Sequence, residues 1–143
     1  MTSFVNKIKL YEDYMALGGV SEYDVKKAEE LLGLKFADDY RNYLIECGIA
    51  TADGHEFTGI GKSKRLDVIT NTLNKRSNNS QILSNMYVIE IVGIDGLVIW
   101  QDSEGYIWIP TYNGLARYDG HNVVNYGFNN VTNKSFNSYL NAV

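Results

Sequence analysis

The sequence predicts an α+β fold: helices packed on one face of a single antiparallel meander sheet, with a short C-terminal helix. Three observations carry that expectation. Residues 1–48 repeat apolar side chains at helical spacing, whereas residues 86–128 alternate them between tight-turn dipeptides. The chain has 143 residues, 45% of them hydrophobic, which is enough for one core and one domain spanning residues 1–143.

Each element follows from local pattern. Phe4, Ile8, Tyr11 and Met15 fall at helical spacing, and Gly18-Gly19 ends the run, predicting a first helix up to that point. Ser21 is placed as an N-cap, with Asp24 in the capping-box position. Val25, Ala28, Leu31 and Leu32 then make one apolar stripe, and Gly33 sits where a C-cap glycine belongs. A third helix begins near Ala37, with Asp38 and Asp39 at its positive end, Tyr40, Tyr43 and Leu44 facing inward, and Gly48 closing it. Asp53-Gly54 marks a turn, Glu56 to Gly61 reads as a short strand, and Leu66, Ile69 and Leu73 suggest another short helix. The polar run Asn74 to Gln81 has no apolar anchor and is expected as a mobile loop.

The second half reads as strands. Met86 to Val92, Leu97 to Trp100, Tyr106 to Ile109, Leu115 to Tyr118 and Val123 to Tyr126 are separated by Asp95-Gly96, Glu104-Gly105, Asn113-Gly114 and Asp119-Gly120. Such dipeptides between apolar runs are strong hairpin signals, and four in succession imply a meander. Thr132 to Val143 is expected as a short helix with Phe136, Tyr139 and Leu140 inward. Along the strand after Gly105, either Ile107 and Ile109 face the core with Tyr106, Trp108 and Pro110 outward, or the reverse.

Charge narrows the function classes. The net charge of −4 disfavours nucleic-acid binding, which needs clustered cations, and the Lys62-Ser63-Lys64-Arg65 run reads as a solvated loop. No stretch approaches the roughly 20 apolar residues of a membrane span, and the N-terminal residues lack the apolar run of a signal peptide. With a single cysteine, Cys47, nothing suggests an oxidising compartment, so the cytoplasm is the expected location.

The chemistry-bearing side chains form no catalytic constellation in the sequence. His55 and His121 each sit beside a turn glycine with no ligand-motif spacing, and read as exposed loop residues rather than metal ligands. Cys47 closes a helix, where the dipole raises a thiol pKa, so a Cys47–His55 nucleophilic pair is disfavoured. Glu12-Asp13, Glu29-Glu30 and Asp38-Asp39 point apart on helices. Gly59-x-Gly61-Lys62-Ser63 ends like a phosphate loop, but Glu56 stands where the motif needs its first glycine. Neither an enzyme nor a cofactor is expected.

Two resemblances emerge. Val20-Ser21-x-x-x-Val25-x-x-Ala28-Glu29-x-Leu31-Leu32-Gly33-Leu34, then Phe36-Ala37-Asp38-Asp39-Tyr40-Arg41-x-Tyr43-Leu44, and finally Ser135-Phe136-Asn137-Ser138-Tyr139-Leu140, resemble the SUKH superfamily. That superfamily joins bacterial toxin-immunity proteins of the Smi/Knr type with a fungal cell-wall-synthesis regulator. Ala37 stands where the family usually has proline, and Cys47-Gly48 replaces the usual Asn-Gly. Locally, Trp100 to Gly120 looks like one repeat of a sensor propeller, with Ile109-Pro110 departing from the repeat's Ile-Gly. A lone blade cannot cover its faces, and the chain is too short for a propeller.

The SUKH resemblance implies an immunity protein that binds a cognate toxin protein, commonly a nuclease or other enzyme, and blocks it stoichiometrically. An adaptor of the cell-wall-regulator type is the alternative, with a small-ligand-binding domain behind it. An acidic surface suits a basic partner, and the carboxylates expected to contribute are Glu56, Asp95, Asp102, Glu104 and Asp119.

Overall fold

Ser21 opens a helix as its sequence demands: its hydroxyl accepts from the Asp24 N–H at 3.1 Å, and the Asp24 carboxylate accepts from the Ser21 N–H at 3.2 Å. Gly33 closes that helix at φ 68°. The structure, a computed structural model, describes residues 3–78, 83–92, 97–111 and 114–127. Among them are helices α1 (Phe4–Ile8), α2 (Glu22–Leu32), α3 (Asp38–Cys47) and α4 (Val68–Asn78). The strands are β1 (Met15–Ala16), β2 (Ala50–Ala52), β3 (His55–Phe57), β4 (Met86–Val92), β5 (Leu97–Asp102), β6 (Ile107–Thr111), β7 (Gly114–Tyr118) and β8 (Val123–Gly127). All eight form one sheet in sequence order, every neighbouring pair antiparallel. The fold is α+β, and its meander reaches further toward the N-terminus than the turn signals alone imply. The expected C-terminal helix and the Asp95-Gly96 turn lie outside the described residues, as does Asn113.

Several local expectations are corrected. The helical spacing through Met15 does not hold: α1 stops at Ile8, and Met15 pairs with Thr51 in the sheet. The Asp13 carboxylate accepts from the backbone N–H groups of Asp53 and Gly54 at 2.6 and 3.0 Å, pinning this segment to the β2–β3 turn. Tertiary pairing thus overrides a weak local propensity. On α2 the buried stripe is Val25, Ala28, Glu29 and Leu32, while Leu31 is 56% exposed because it lies about 100° around the helix from Leu32.

Helix α4 runs through Asn78, into the stretch expected as a loop. Its anchor is a cation: Arg76 donates to the carbonyls of Leu32 at 2.6 Å and Ser84 at 3.0 Å. Of the apolar residues expected to define it, Leu66 precedes the helix and Leu73 is exposed; Val68 and Thr72 are the buried positions. Thr72 also accepts from the Val88 N–H at 3.1 Å, so α4 satisfies part of the edge of β4 beyond the end of β3.

The register assigns the two sheet faces. Tyr87, Gln101, Ile107 and Tyr118 are successive cross-strand partners on one face, which the helices cover at Tyr87, Gln101 and Ile107 and leave exposed at Tyr118. Val88, Trp100, Trp108 and Arg117 form the matching row on the other face. Trp108 packs there against the buried cluster of Met86, Val88, Val98 and Trp100, and the Arg117 guanidinium lies 4.4 Å from the Tyr106 ring centroid. The alternation along β6 is therefore resolved with Ile107 toward the helices. A bulge at Ile89 shifts the β4 register so that Glu90 stands opposite Ile99, while Ile89, two residues from Tyr87, lines the helix side.

Candidate functional site

The β5–β6 turn meets the start of α3, and that junction carries the most distinctive surface among the described residues. Asp102, at the end of β5, is buried and builds the turn: its Oδ1 accepts from the N–H groups of Glu104 and Tyr106 at 2.9 and 3.1 Å. Its Oδ2 accepts from the Trp108 indole N–H at 2.9 Å. The turn is held to α3 from below. Gln101 donates through Nε2 to Asp39 Oδ1 and to the Gly105 carbonyl, both at 3.2 Å, and accepts from the Tyr87 hydroxyl at 2.8 Å.

The result is a shelf in which exposed Asp38, Asp39 and Glu104, with Ala37, Ser103 and Gly105, line an open concavity of about 350 Å³. Asp39 also borders a second, apolar cavity of about 80 Å³, walled by Phe4, Tyr40, Tyr43, Phe57, Ile89 and Ile107, with Gln101 at its polar end. Carboxylates can accept from Lys or Arg side chains, and the cavity can take an apolar group. The combination suits a polypeptide surface better than a small charged metabolite.

The carboxylates expected from the sequence are distributed as follows. Glu104 is exposed on the shelf, and Asp102 lies beneath it. Asp119 is exposed in the β7–β8 turn, which an antiparallel meander places at the same end of the sheet as the β5–β6 turn. Its carboxylate accepts from the N–H groups of His121 and Asn122 at 2.8 and 2.7 Å, and these bonds hold its pKa below the usual carboxylate value. Glu56, in β3, is paired through both oxygens with the Arg65 guanidinium, which lowers its pKa. Asp95 lies outside the described residues. From sequence Asp38 and Asp39 read as helix-end charges and as a pair that points apart; the convergence of α3 with the β5–β6 turn gives them a second setting.

The histidines do not meet. His55 Nδ1 lies 2.6 Å from Glu90 Oε2, and its ring stacks on Phe57 at 6.0 Å, whereas His121 sits in the β7–β8 turn. His55 is therefore an ion-pairing residue of β3 rather than a bare loop residue. Cys47 is buried, with its Sγ 3.5 Å from the Tyr14 hydroxyl, and the phenol is pushed up to about 12 mainly by that contact. Among the described residues no group of three or more His, Cys, Asp or Glu side chains is placed to hold a metal ion, and no helix is long and apolar enough to cross a membrane.

The family model SUKH_5, described as SMI1-KNR4 cell-wall, matches residues 1–141. The chain belongs to the SUKH superfamily. No individual curated protein matches it. Membership in SUKH fits an immunity or regulatory role, in a family that is generally non-catalytic and whose immunity members bind partner proteins. In this SUKH chain the motif residues that carry the likeness are largely architectural: Ser21 and Gly33 cap α2, and Tyr40, Tyr43 and Leu44 are buried.

Proposed function

We propose that this SUKH domain is a cytoplasmic immunity protein that binds a cognate secreted toxin and neutralises it by stoichiometric contact, without catalysis. The observation that supports this reading is the acidic shelf of Asp38, Asp39 and Glu104 joined at Asp39 to an apolar cavity. A basic toxin such as a nuclease is steered toward such a charge, and an adjoining apolar site gives the encounter somewhere to settle. In this reading Glu104 and Asp119 touch the toxin directly, Asp102 acts through the turn it builds, Glu56 contributes together with Arg65, and Asp95 adds charge.

An adaptor that scaffolds a regulatory partner is the second reading, favoured by the cell-wall description of the matching family. Affinity purification from the protein's own organism, followed by a growth-protection assay, separates the two. A captured partner that arrests growth when expressed alone, and ceases to when this chain is co-expressed, supports immunity. A captured partner that is harmless alone supports the adaptor. Capture of nothing, while a neighbouring toxin gene is expressed, removes the immunity reading.

A further inference from the structure

We infer that the apolar cavity bordered by Asp39 receives one aliphatic or aromatic side chain from a basic stretch of a partner polypeptide, whose flanking cations Asp38, Asp39 and Glu104 accept. The inference rests on the partner-binding reading and specifies the partner's chemistry. Size comes first: at about 80 Å³ the cavity is well below the roughly 300–1,000 Å³ of a small-molecule pocket, yet it suits one side chain.

The walls are held open by bonds made elsewhere. The Tyr40 hydroxyl is 3.0 Å from Thr58 Oγ1, and the Tyr43 hydroxyl accepts from the Ala50 N–H at 2.9 Å. Phe4 is wedged edge-on against Phe57, with ring centroids 5.1 Å apart. None of these rings can swing inward without losing its own contacts, so a guest finds a preorganised socket. Charge selects the flanks. Asp38, Asp39 and Glu104 are exposed, and Asp39 is fixed by Gln101. Arg41, the cation on the same helix, makes its direct ion pairs with Glu22 and Glu29 and reaches Asp38 only through longer-range attraction.

The test is a methyl-detected NMR titration of the full chain with peptides Lys-Arg-Xaa-Arg-Lys, in which Xaa is Leu, Phe or Ser. The Leu and Phe peptides are expected to shift the Ile89 and Ile107 methyl signals saturably, and the Ser peptide to leave them in place. Asp39→Asn keeps the acceptor for Gln101 but removes the charge, and should weaken binding about two- to fivefold. Ile107→Phe fills the cavity and should abolish the shift of the remaining reporter, the Ile89 methyl signals; a control circular-dichroism melt establishes that each variant folds.

Methyl shifts that are equal for Leu and Ser, absent for every peptide, or unchanged in Asp39→Asn overturn the inference. So do equal shifts from neutral N-acetyl-leucinamide, which would mark a small-ligand site, or concentration-dependent shifts without peptide, which would mark self-association. The function itself is judged separately by growth protection. If Ile107→Phe still protects, immunity stands and the socket is discarded; if the native chain fails to protect, immunity falls while the peptide result stands.

Discussion

The backbone N–H of Ala37 donates to the Tyr87 hydroxyl at 2.9 Å, across the seam between the start of α3 and the middle of the sheet. A proline, the residue that the SUKH resemblance leads one to expect at this position, has no N–H to give. Alanine here therefore supplies a bond rather than merely tolerating the turn.

Ala37→Pro puts two terms in opposition. The φ of −64° already suits proline, so the substitution should gain about 0.4–1 kcal/mol by restricting the unfolded chain. It removes a buried bond, which costs about 1–3 kcal/mol. Urea unfolding should show a net loss of stability, and Tyr87→Phe should show a loss of similar size because it also strips Gln101 of a donor. A fully stable Ala37→Pro protein would mean that the seam bond contributes no more than the proline gains by restricting the unfolded chain.

The His55–Glu90 pair sets a pH dependence. Hydrogen bonding and attraction to Glu90 raise the His55 pKa above its ordinary value, which is about 6.5. A raised folded-state value means the stabilisation is fully present below the unfolded pKa and is lost as pH climbs through the folded one. As pH rises from the ordinary histidine value through the raised folded-state one, the native protein should lose stability, and His55→Gln should flatten that slope. Because the His55 side chain is 54% exposed, the effect should shrink in high salt. A slope identical in the two proteins would remove the pair as its cause.

Gly59, in the segment that only half matches a phosphate loop, is required for a steric reason. A Cβ at this position would lie 1.7 Å from the Gly48 carbonyl oxygen, at the end of α3. Two backbones touch here, and neither is a flexible end that can yield. Gly59→Ala is expected to cost about 3 kcal/mol or more, among the larger single-residue effects. Thermal melting should show it plainly, whereas a near-native melting temperature would mean that the two segments separate easily.

Charge reversal should divide the acidic residues into two groups. Asp102→Lys leaves the N–H groups of Glu104 and Tyr106 and the indole of Trp108 without their acceptor, and should cost about 3 kcal/mol or more. Glu104→Lys touches only the exposed shelf and should stay within about 0.5 kcal/mol of native. Partner affinity lost in Glu104→Lys at unchanged stability would isolate the shelf. Equal destabilisation of the two variants would contradict the division.

How much of this was legible depended on range. α2 could be read almost whole, because Ser21, Asp24 and Gly33 act within one or two turns of helix. The overrun of α1 arose because periodicity cannot register that Met15 pairs with Thr51. The polar end of α4 looked unanchored because its tether, Arg76, reaches carbonyls on α2 and ahead of β4. At the site, Glu104 was visible as a turn acid, but Asp102 carried the same signal while facing inward. The cavity could not be foreseen, since it exists only where Phe4, Tyr43 and Ile107 converge from three separate elements.

Strand order equals sequence order throughout the sheet. Each strand therefore lies beside the one made just before it, and a ribosome can deliver the sheet in the order in which it assembles. Before β4 emerges, Phe36 and Tyr40 have no floor, because their ring partner on the sheet is Tyr87. Once β4 is out, the helices already made can close on it, and each later strand extends a growing edge. Synthesis that halts before β4 leaves an unsupported cluster of aromatic rings, whereas a halt after β6 leaves Phe36 and Tyr40 with their partner Tyr87 in place.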